Sequence, residues 1–209
     1  MKILFATRNK NKAREVAAIL SEYRDALGEM ELMTLDDVGI TEDVIENGST
    51  FEENAMIKAK AGAASGYITL ADDSGIEVDA LGGAPGIYSA RFAGGHGDDR
   101  ANNALLLRKL DGVPKKNRTA RYAVAIACVL PDGETFTVRG TTEGLILFDY
   151  DGEGGFGYDP LFWSLDLNKS FGRATPEEKN GVSHRGRAVR LAAKELIRRL
   201  NTQNERNSK

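Results

Sequence analysis

The stretch from Thr119 to Leu147 constrains the fold more than any other. Two long runs, TARYAVAIACVL and ETFTVRGTTEGLIL, flank the turn Pro131-Asp132-Gly133. Proline presets φ for a turn and glycine accepts positive φ, so the pattern reads as a long β-hairpin. Upstream, strand and helix alternate. Residues 2–6 (KILFA) read as a buried strand. Residues 12–27 carry Val16, Ile19, Leu20, Tyr23 and Leu27 on one helical face. Thr50 and Glu53 form a T-x-x-E capping box opening a helix that runs to about Ser65. Residues 67–71 (YITLA) read as a second buried strand, ending in a loop at DDSG, and residues 98–110 as a helix capped by Asp98 or Asp99. Alternation followed by a hairpin implies an α/β domain with a mixed sheet, open to division into two lobes. Thr175-Pro176-Glu177-Glu178 starts a short helical turn. A last helix begins near Ser183, with Val189, Ala193, Leu196, Ile197 and Leu200 on its apolar face. The expectation is therefore one domain over residues 1–200 and a fraying polar tail over 201–209.

Composition excludes several functions. A net charge of −3 lacks the basic excess of a nucleic-acid binder. No apolar run approaches the ~20 residues that cross a bilayer, and the N-terminal MKILFA is too short for a signal peptide. One cysteine, Cys128, and two histidines offer no zinc site; Cys128 lies in an apolar run and reads as core. A soluble, cytoplasmic protein is expected. Glycine stands out at 23 of 209 residues, against about 7% on average. It clusters in DDSGIEVDALGGAPG, FAGGHG and DYDGEGGFGYDP, as in loops where backbone approaches a ligand or takes positive φ.

Four segments carry candidate chemistry. In ATRNKNKARE the cations Arg8, Lys10, Lys12 and Arg14 crowd a helix N-terminus. The dipole disfavours each exposed cation there by roughly 0.3–1 kcal/mol. An anion reconciles them, because free N–H groups at a helix start bind phosphate and Thr7 and Asn9 add donors. Asp72 and Asp73 end an apolar strand, where ligands gather in open α/β sheets. A carboxylate beside phosphates suggests Mg²⁺, which takes one or two protein carboxylates with phosphate and water. GEGGFG matches G-x-G-x-x-G, but Tyr158-Asp159-Pro160 follows instead of a helix, so this is no dinucleotide fingerprint. FGYDP instead places an aromatic face and a carboxylate in a pocket, and Tyr158 fits a core aromatic equally well. Finally, Lys179, His184 and Arg185 gather near the start of the last helix.

Six segments in order, ATRNKNKARE, ENGSTFEENAMIKA, ADDSGIEVDALGGAPGIYSARF, EGLI, GGFGYDPLF and EEKNGVSHRGRA, together resemble the inosine-triphosphate pyrophosphatase family. The likeness runs from Leu4 to about Leu200. It implies an elongated α/β fold with a mixed central sheet, a nucleotide cleft between two lobes and a homodimer. It also implies Mg²⁺-dependent hydrolysis of ITP, dITP and XTP to monophosphate and pyrophosphate. By resemblance, Thr7, Arg8, Asn9, Lys10, Asn11 and Lys12 hold the triphosphate, with Lys58 and Arg91 adding charge and Arg8 in an unassigned role. Asp73 is the implied metal ligand and general base, Glu46 the implied second carboxylate, and Ser74 a substrate contact. Phe156, Gly157, Tyr158 and Asp159 are implied to enclose the base, and Lys179, His184 and Arg185 to read it.

Overall fold

The hairpin sits inside a seven-stranded mixed sheet. The computed structural model describes residues 1–95 and 97–207; His96 of the FAGGHG cluster and the last two tail residues lie outside them. The strands are β1 (Lys2–Phe5), β2 (Glu31–Met33), β3 (Ile68–Val78), β4 (Thr119–Val129), β5 (Thr135–Ile146), β6 (Phe162–Ser164) and β7 (Lys169–Ser170). Their order is β2-β1-β3-β4-β5-β6-β7. β1 runs parallel to β2 and β3, while β6 is antiparallel to β5 and β7. The helices are α1 (Lys10–Leu20), α2 (Arg24–Leu27), α3 (Phe51–Ala63), α4 (Asp99–Lys109), α5 (Pro176–Val182) and α6 (His184–Asn207). β4 is buried along nearly its whole length, as its continuous apolar run requires, whereas β5 alternates buried and open positions.

The chain forms two compact units. The first comprises Met1–Asp73, Ala125–Arg139 and Gly186–Lys209; the second comprises Ser74–Val124 and Gly140–Arg185. In the first, the crossovers β1–α1–β2 and β2–α3–β3 leave in opposite directions along the sheet. Right-handed crossovers therefore put α1 and α3 on opposite faces. β1, where the order reverses, ends at Phe5 opposite Leu70, so Asp72 and Asp73 extend β3 past its end. The second unit has its own core, including Ile76, Leu106, Tyr122, Tyr158, Phe162 and Phe171.

Three elements differ from expectation. The helix expected over residues 12–27 starts at Lys10 and breaks at Ser21, whose hydroxyl bonds back to the Ala18 carbonyl at 2.6 Å. The DDSG segment is strand, not loop. Its polar side chains are partnered, which removes the penalty for burying them in a central strand. Gly75 is there for room: a Cβ would lie 2.2 Å from the Gly86 carbonyl oxygen. Last, α6 continues through residues 201–207. Gln203 donates to Asp132 at 2.5 Å and Arg206 lies 3.7 Å from Glu134, tying this stretch to the hairpin turn.

Candidate functional site

The first unit gathers charge at Asp72 and Asp73, where β3 runs past the end of β1. Successive strand residues point to opposite faces, so Asp72 and Asp73 meet different helices. Asp72 pairs with Lys12 of α1 at 3.0 Å. Asp73 receives Lys58 of α3 at 3.1 Å on Oδ1 and the Asn54 amide at 3.2 Å on Oδ2. Lys58 also lies 3.1 Å from Glu46 Oε2. Two carboxylates thus share one ammonium. Burial lifts the Asp73 carboxyl above its ordinary range; Lys58 pulls it back in part, and Glu46 pushes it up again. For Lys58 burial acts downward, but the charges of Asp73, Asp72 and Glu46 outweigh it and raise the ammonium. Burial leads the Asp73 shift, whereas a surplus of negative charge around the ammonium sets that of Lys58.

That surplus fits a divalent metal. Glu46 and Asp73 are hard oxygen donors already converging on one positive charge, the donor type that Mg²⁺ combines with phosphate and water. No group of three or more His, Cys, Asp or Glu able to hold a metal occurs among the described residues. A metal here would complete its shell from the substrate.

The loop after β1 is more committed than expected. Asn9 caps α1, its side-chain oxygen accepting from the Asn11 and Lys12 N–H groups at 2.9 and 3.1 Å. Thr7 accepts from the Asn9 N–H at 3.1 Å. Arg8 reaches the segment after β2 instead, lying 2.5 Å from Asp43 and donating to the Ile40 and Glu42 carbonyls at 2.9 and 3.0 Å. Lys10 is exposed. Arg14 is exposed too and binds Asn11 beside it. Thr50 caps α3 by accepting from the Glu53 N–H at 3.1 Å. The Glu53 carboxylate takes the Ser49 N–H and hydroxyl at 2.6 and 2.7 Å, so the return bond of the capping box falls one residue early.

The second unit holds an aromatic and cationic cluster. Asp159, buried, lies 2.6 Å from Lys179 Nζ and accepts from the Tyr122 hydroxyl at 3.2 Å and the Phe156 N–H at 2.8 Å. Burial first, then the charge of Asp159, pushes the Tyr122 hydroxyl up and keeps it protonated. A Cβ at Gly155, whose φ is +76°, would lie 2.2 Å from the Asp159 carboxylate. Lys179 stands 4.5 Å from the Phe156 ring centroid and Arg185 5.8 Å from it. Arg185 is only 2% exposed and donates to Ser74 at 3.1 Å. His184 stacks on Tyr122 with centroids 4.7 Å apart. Arg91 covers the Tyr88 ring at 5.1 Å. Tyr158 is core: it is buried and donates to the Ser89 carbonyl at 2.8 Å. Gly157 has its N–H on Asp99 at 2.7 Å and its carbonyl on the Asn103 amide at 2.9 Å.

Sequence reasoning missed Asn54, Asp99 and Asn103. Asn54 joins two parts of the first cluster, accepting from the Gly48 N–H at 2.8 Å while donating to Asp73. Its signal was present: Phe51, Asn54, Ala55, Lys58, Ala59 and Gly62 fall at one-face helical spacing, which puts two polar residues on the inward stripe.

An open α/β sheet with paired carboxylates and ammoniums beyond its switch-point strand is the arrangement in which α/β proteins place ligand sites. More specifically, the chain belongs to the Ham1 family, whose profile matches residues 3–195. It is 49% identical over 204 residues to a dITP/XTP pyrophosphatase of Desulforamulus reducens, covering 96% of this chain and 97% of that one. It is 51% identical over 191 residues to the dITP/XTP pyrophosphatase of Exiguobacterium sibiricum, covering 91% and 94%. The Ham1 protein of Staphylococcus aureus superposes with a TM-score of 0.81 at 38% identity, over 94% of this chain and 98% of that one.

Proposed function

We propose that this chain is a Mg²⁺-dependent pyrophosphatase that hydrolyses ITP, dITP and XTP to the nucleoside monophosphate and pyrophosphate. Deaminated purines would thereby be kept out of DNA and RNA. The observation that carries the reading is the buried Asp73 carboxylate, sharing the Lys58 ammonium with Glu46, in a chain half identical to proteins named for this activity. Bound between Glu46, Asp73 and the phosphates, the metal would supply charge neutralisation for the displaced pyrophosphate. Lys12 and Lys58 bind phosphate oxygens, with Thr7, Asn9, Lys10 and Asn11 as further contacts. Asp73 takes the proton of the attacking water; its raised carboxyl is a better base than an ordinary aspartate. Water oxygen bonds to phosphorus as the anhydride bond between the α- and β-phosphates breaks, and pyrophosphate leaves with the electron pair.

Base choice follows from donors. Phe156 offers the stacking face, and Lys179, His184 and Arg185 present N–H groups. Hypoxanthine and xanthine carry a 6-oxo acceptor where adenine carries an amino donor, so adenine would leave donors facing donors. Mismatches of that kind discriminate strongly. No helix among the described residues is long and apolar enough to cross a membrane. We read the enzyme as a cytoplasmic homodimer, acting where the nucleotide pool lies. The test measures pyrophosphate released from ITP, dITP, XTP, GTP and ATP with and without Mg²⁺. Release from the deaminated purines, with ATP at least about a hundredfold slower, is expected. Equal rates on ATP, or none on ITP, overturn the reading.

A further inference from the structure

We infer that Asp99 and Asn103 of α4 are positioning residues for base recognition: they pin the Gly157 peptide and so fix the Phe156 ring. The inference rests on the reading of residues 156–159 as the base-binding segment. A loop with Gly152, Gly154, Gly155 and Gly157 is entropically loose, and Gly155 and Gly157 hold φ values of +76° and +63°. Yet all four polar backbone groups of Phe156 and Gly157 are bonded. Asp159 supplies two partners, its carboxylate to the Phe156 N–H at 2.8 Å and its own N–H to the Phe156 carbonyl at 3.2 Å. α4 supplies the other two, Asp99 to the Gly157 N–H and Asn103 to the Gly157 carbonyl.

Neither α4 side chain has a competing local reason to be there. Asp98, not Asp99, caps the helix by accepting from the Ala101 N–H at 2.9 Å. Asn103 is 3% exposed on the same inward stripe as Leu106, and its side-chain oxygen has no hydrogen-bond partner among the described residues. A half-satisfied buried amide is unfavourable for packing alone. Its remaining bond goes to the loop, which accounts for its presence. A groove of about 370 Å³ beside these bonds is lined by Asp99, Arg100 and Asn103 of α4 and by Gly154–Gly157 of the loop. Lys179 is fixed on Asp159, which also grips the loop, so ring and donor share one frame. The α4 clamp completes that frame, and displacing the ring shifts the stacked base against its donors.

The test uses the full chain with Asp99→Ala, Asp99→Asn and Asn103→Ala. The measurements are kcat and KM on ITP and ATP, and inhibition by tripolyphosphate, a triphosphate without a base. Asp99→Ala is expected to raise KM for ITP about tenfold and lower the ITP-to-ATP ratio of kcat/KM as much, with kcat and tripolyphosphate inhibition within about twofold. Asp99→Asn, whose amide oxygen still accepts the Gly157 N–H, restores most of the ratio. An unchanged ratio, or a parallel loss of tripolyphosphate inhibition, overturns the inference. Should wild type release nothing from ITP, the proposed function fails by itself. Hydrogen exchange then judges the clamp: faster exchange at Gly157 in Asp99→Ala supports it, and unchanged exchange overturns it.

Discussion

Replacing Asp73 by asparagine separates catalysis from binding and folding in one residue. An amide at position 73 offers one acceptor, which Lys58 Nζ, 3.1 Å away, can use. Its NH₂ then faces the Asn54 NH₂, 3.2 Å from the present Oδ2, and Asn54 cannot turn because its oxygen holds the Gly48 N–H. One hydrogen bond is lost, about 1 kcal/mol. Against that stands relief from burying a carboxylate charge. Burial raises the Asp73 carboxyl, so its charged form is penalised in the folded state. The penalty is fully present above the raised folded value and disappears as pH falls through it toward 3.8. Metal-free wild type therefore gains stability on mild acidification across that window, and Asp73→Asn lacks the gain. Folding survives the substitution. Turnover does not: a positioned base contributes about 10²–10⁴-fold, or about 2.7–5.4 kcal/mol of barrier. Pyrophosphate release from ITP should fall about a thousandfold in kcat while KM rises no more than about tenfold. Thermal melts at several pH values give the second readout. A kcat within tenfold of wild type removes Asp73 from the proton transfer, whatever happens to stability.

Two further substitutions sort other residues. Tyr158→Phe strands the buried Ser89 carbonyl that its hydroxyl serves, so about 1–3 kcal/mol of stability is lost and the melting temperature falls, with KM for ITP unchanged. A large rise in KM without destabilisation would return Tyr158 to the base pocket. Arg8→Ala releases Asp43 and the Ile40 and Glu42 carbonyls, three to six residues before Glu46. The expected result is faster hydrogen exchange over residues 36–46 and a higher Mg²⁺ requirement, with tripolyphosphate inhibition intact; weakened tripolyphosphate inhibition at saturating Mg²⁺ would instead put Arg8 on the phosphates.

Periodicity exposed the architecture because it is a local property. The β4 run, the β5 alternation and the inward stripes of α1 and α6 all follow from which side of an element meets the core. Cys128 is buried as its apolar run requires, with its thiol pushed up to about 12 by burial. DDSG misled for a physical reason. Asp, Ser and Gly are turn formers only when no better partner exists, and here the partners come from far along the chain. Lys12 is 60 residues before Asp72, and Arg185 is 111 residues beyond Ser74. No window of sequence contains both ends of such a bond. Tyr158 was undecidable for the same reason, since the Ser89 carbonyl that fixes it in the core is 69 residues away. The cation-rich stretch was legible as the start of a helix, which begins at Lys10. Asn9 as cap is a local feature, bonding the Asn11 and Lys12 N–H groups, whereas Arg8 as clamp depends on Asp43, 35 residues away.

One strand accounts for where the misplaced cations stand. Asp72, Asp73 and Ser74 follow each other on β3 and take Lys12, Lys58 and Arg185 in turn. Lys12 in the first turn of α1 and Arg185 at the start of α6 both stand where a helix dipole opposes a cation. Lys12 is held there by a nearly buried carboxylate at 3.0 Å, an interaction that outweighs a dipole term confined to one turn. Arg185 donates to the Ser74 hydroxyl at 3.1 Å. Asp72 pairs with Lys12, whereas at Asp73 the Lys58 ammonium is shared with a second carboxylate, Glu46. Because side chains alternate along a strand, a slip of one residue would exchange these roles. The register of β3 therefore puts Asp73, not Asp72, on the face where the Lys58 ammonium is shared with Glu46.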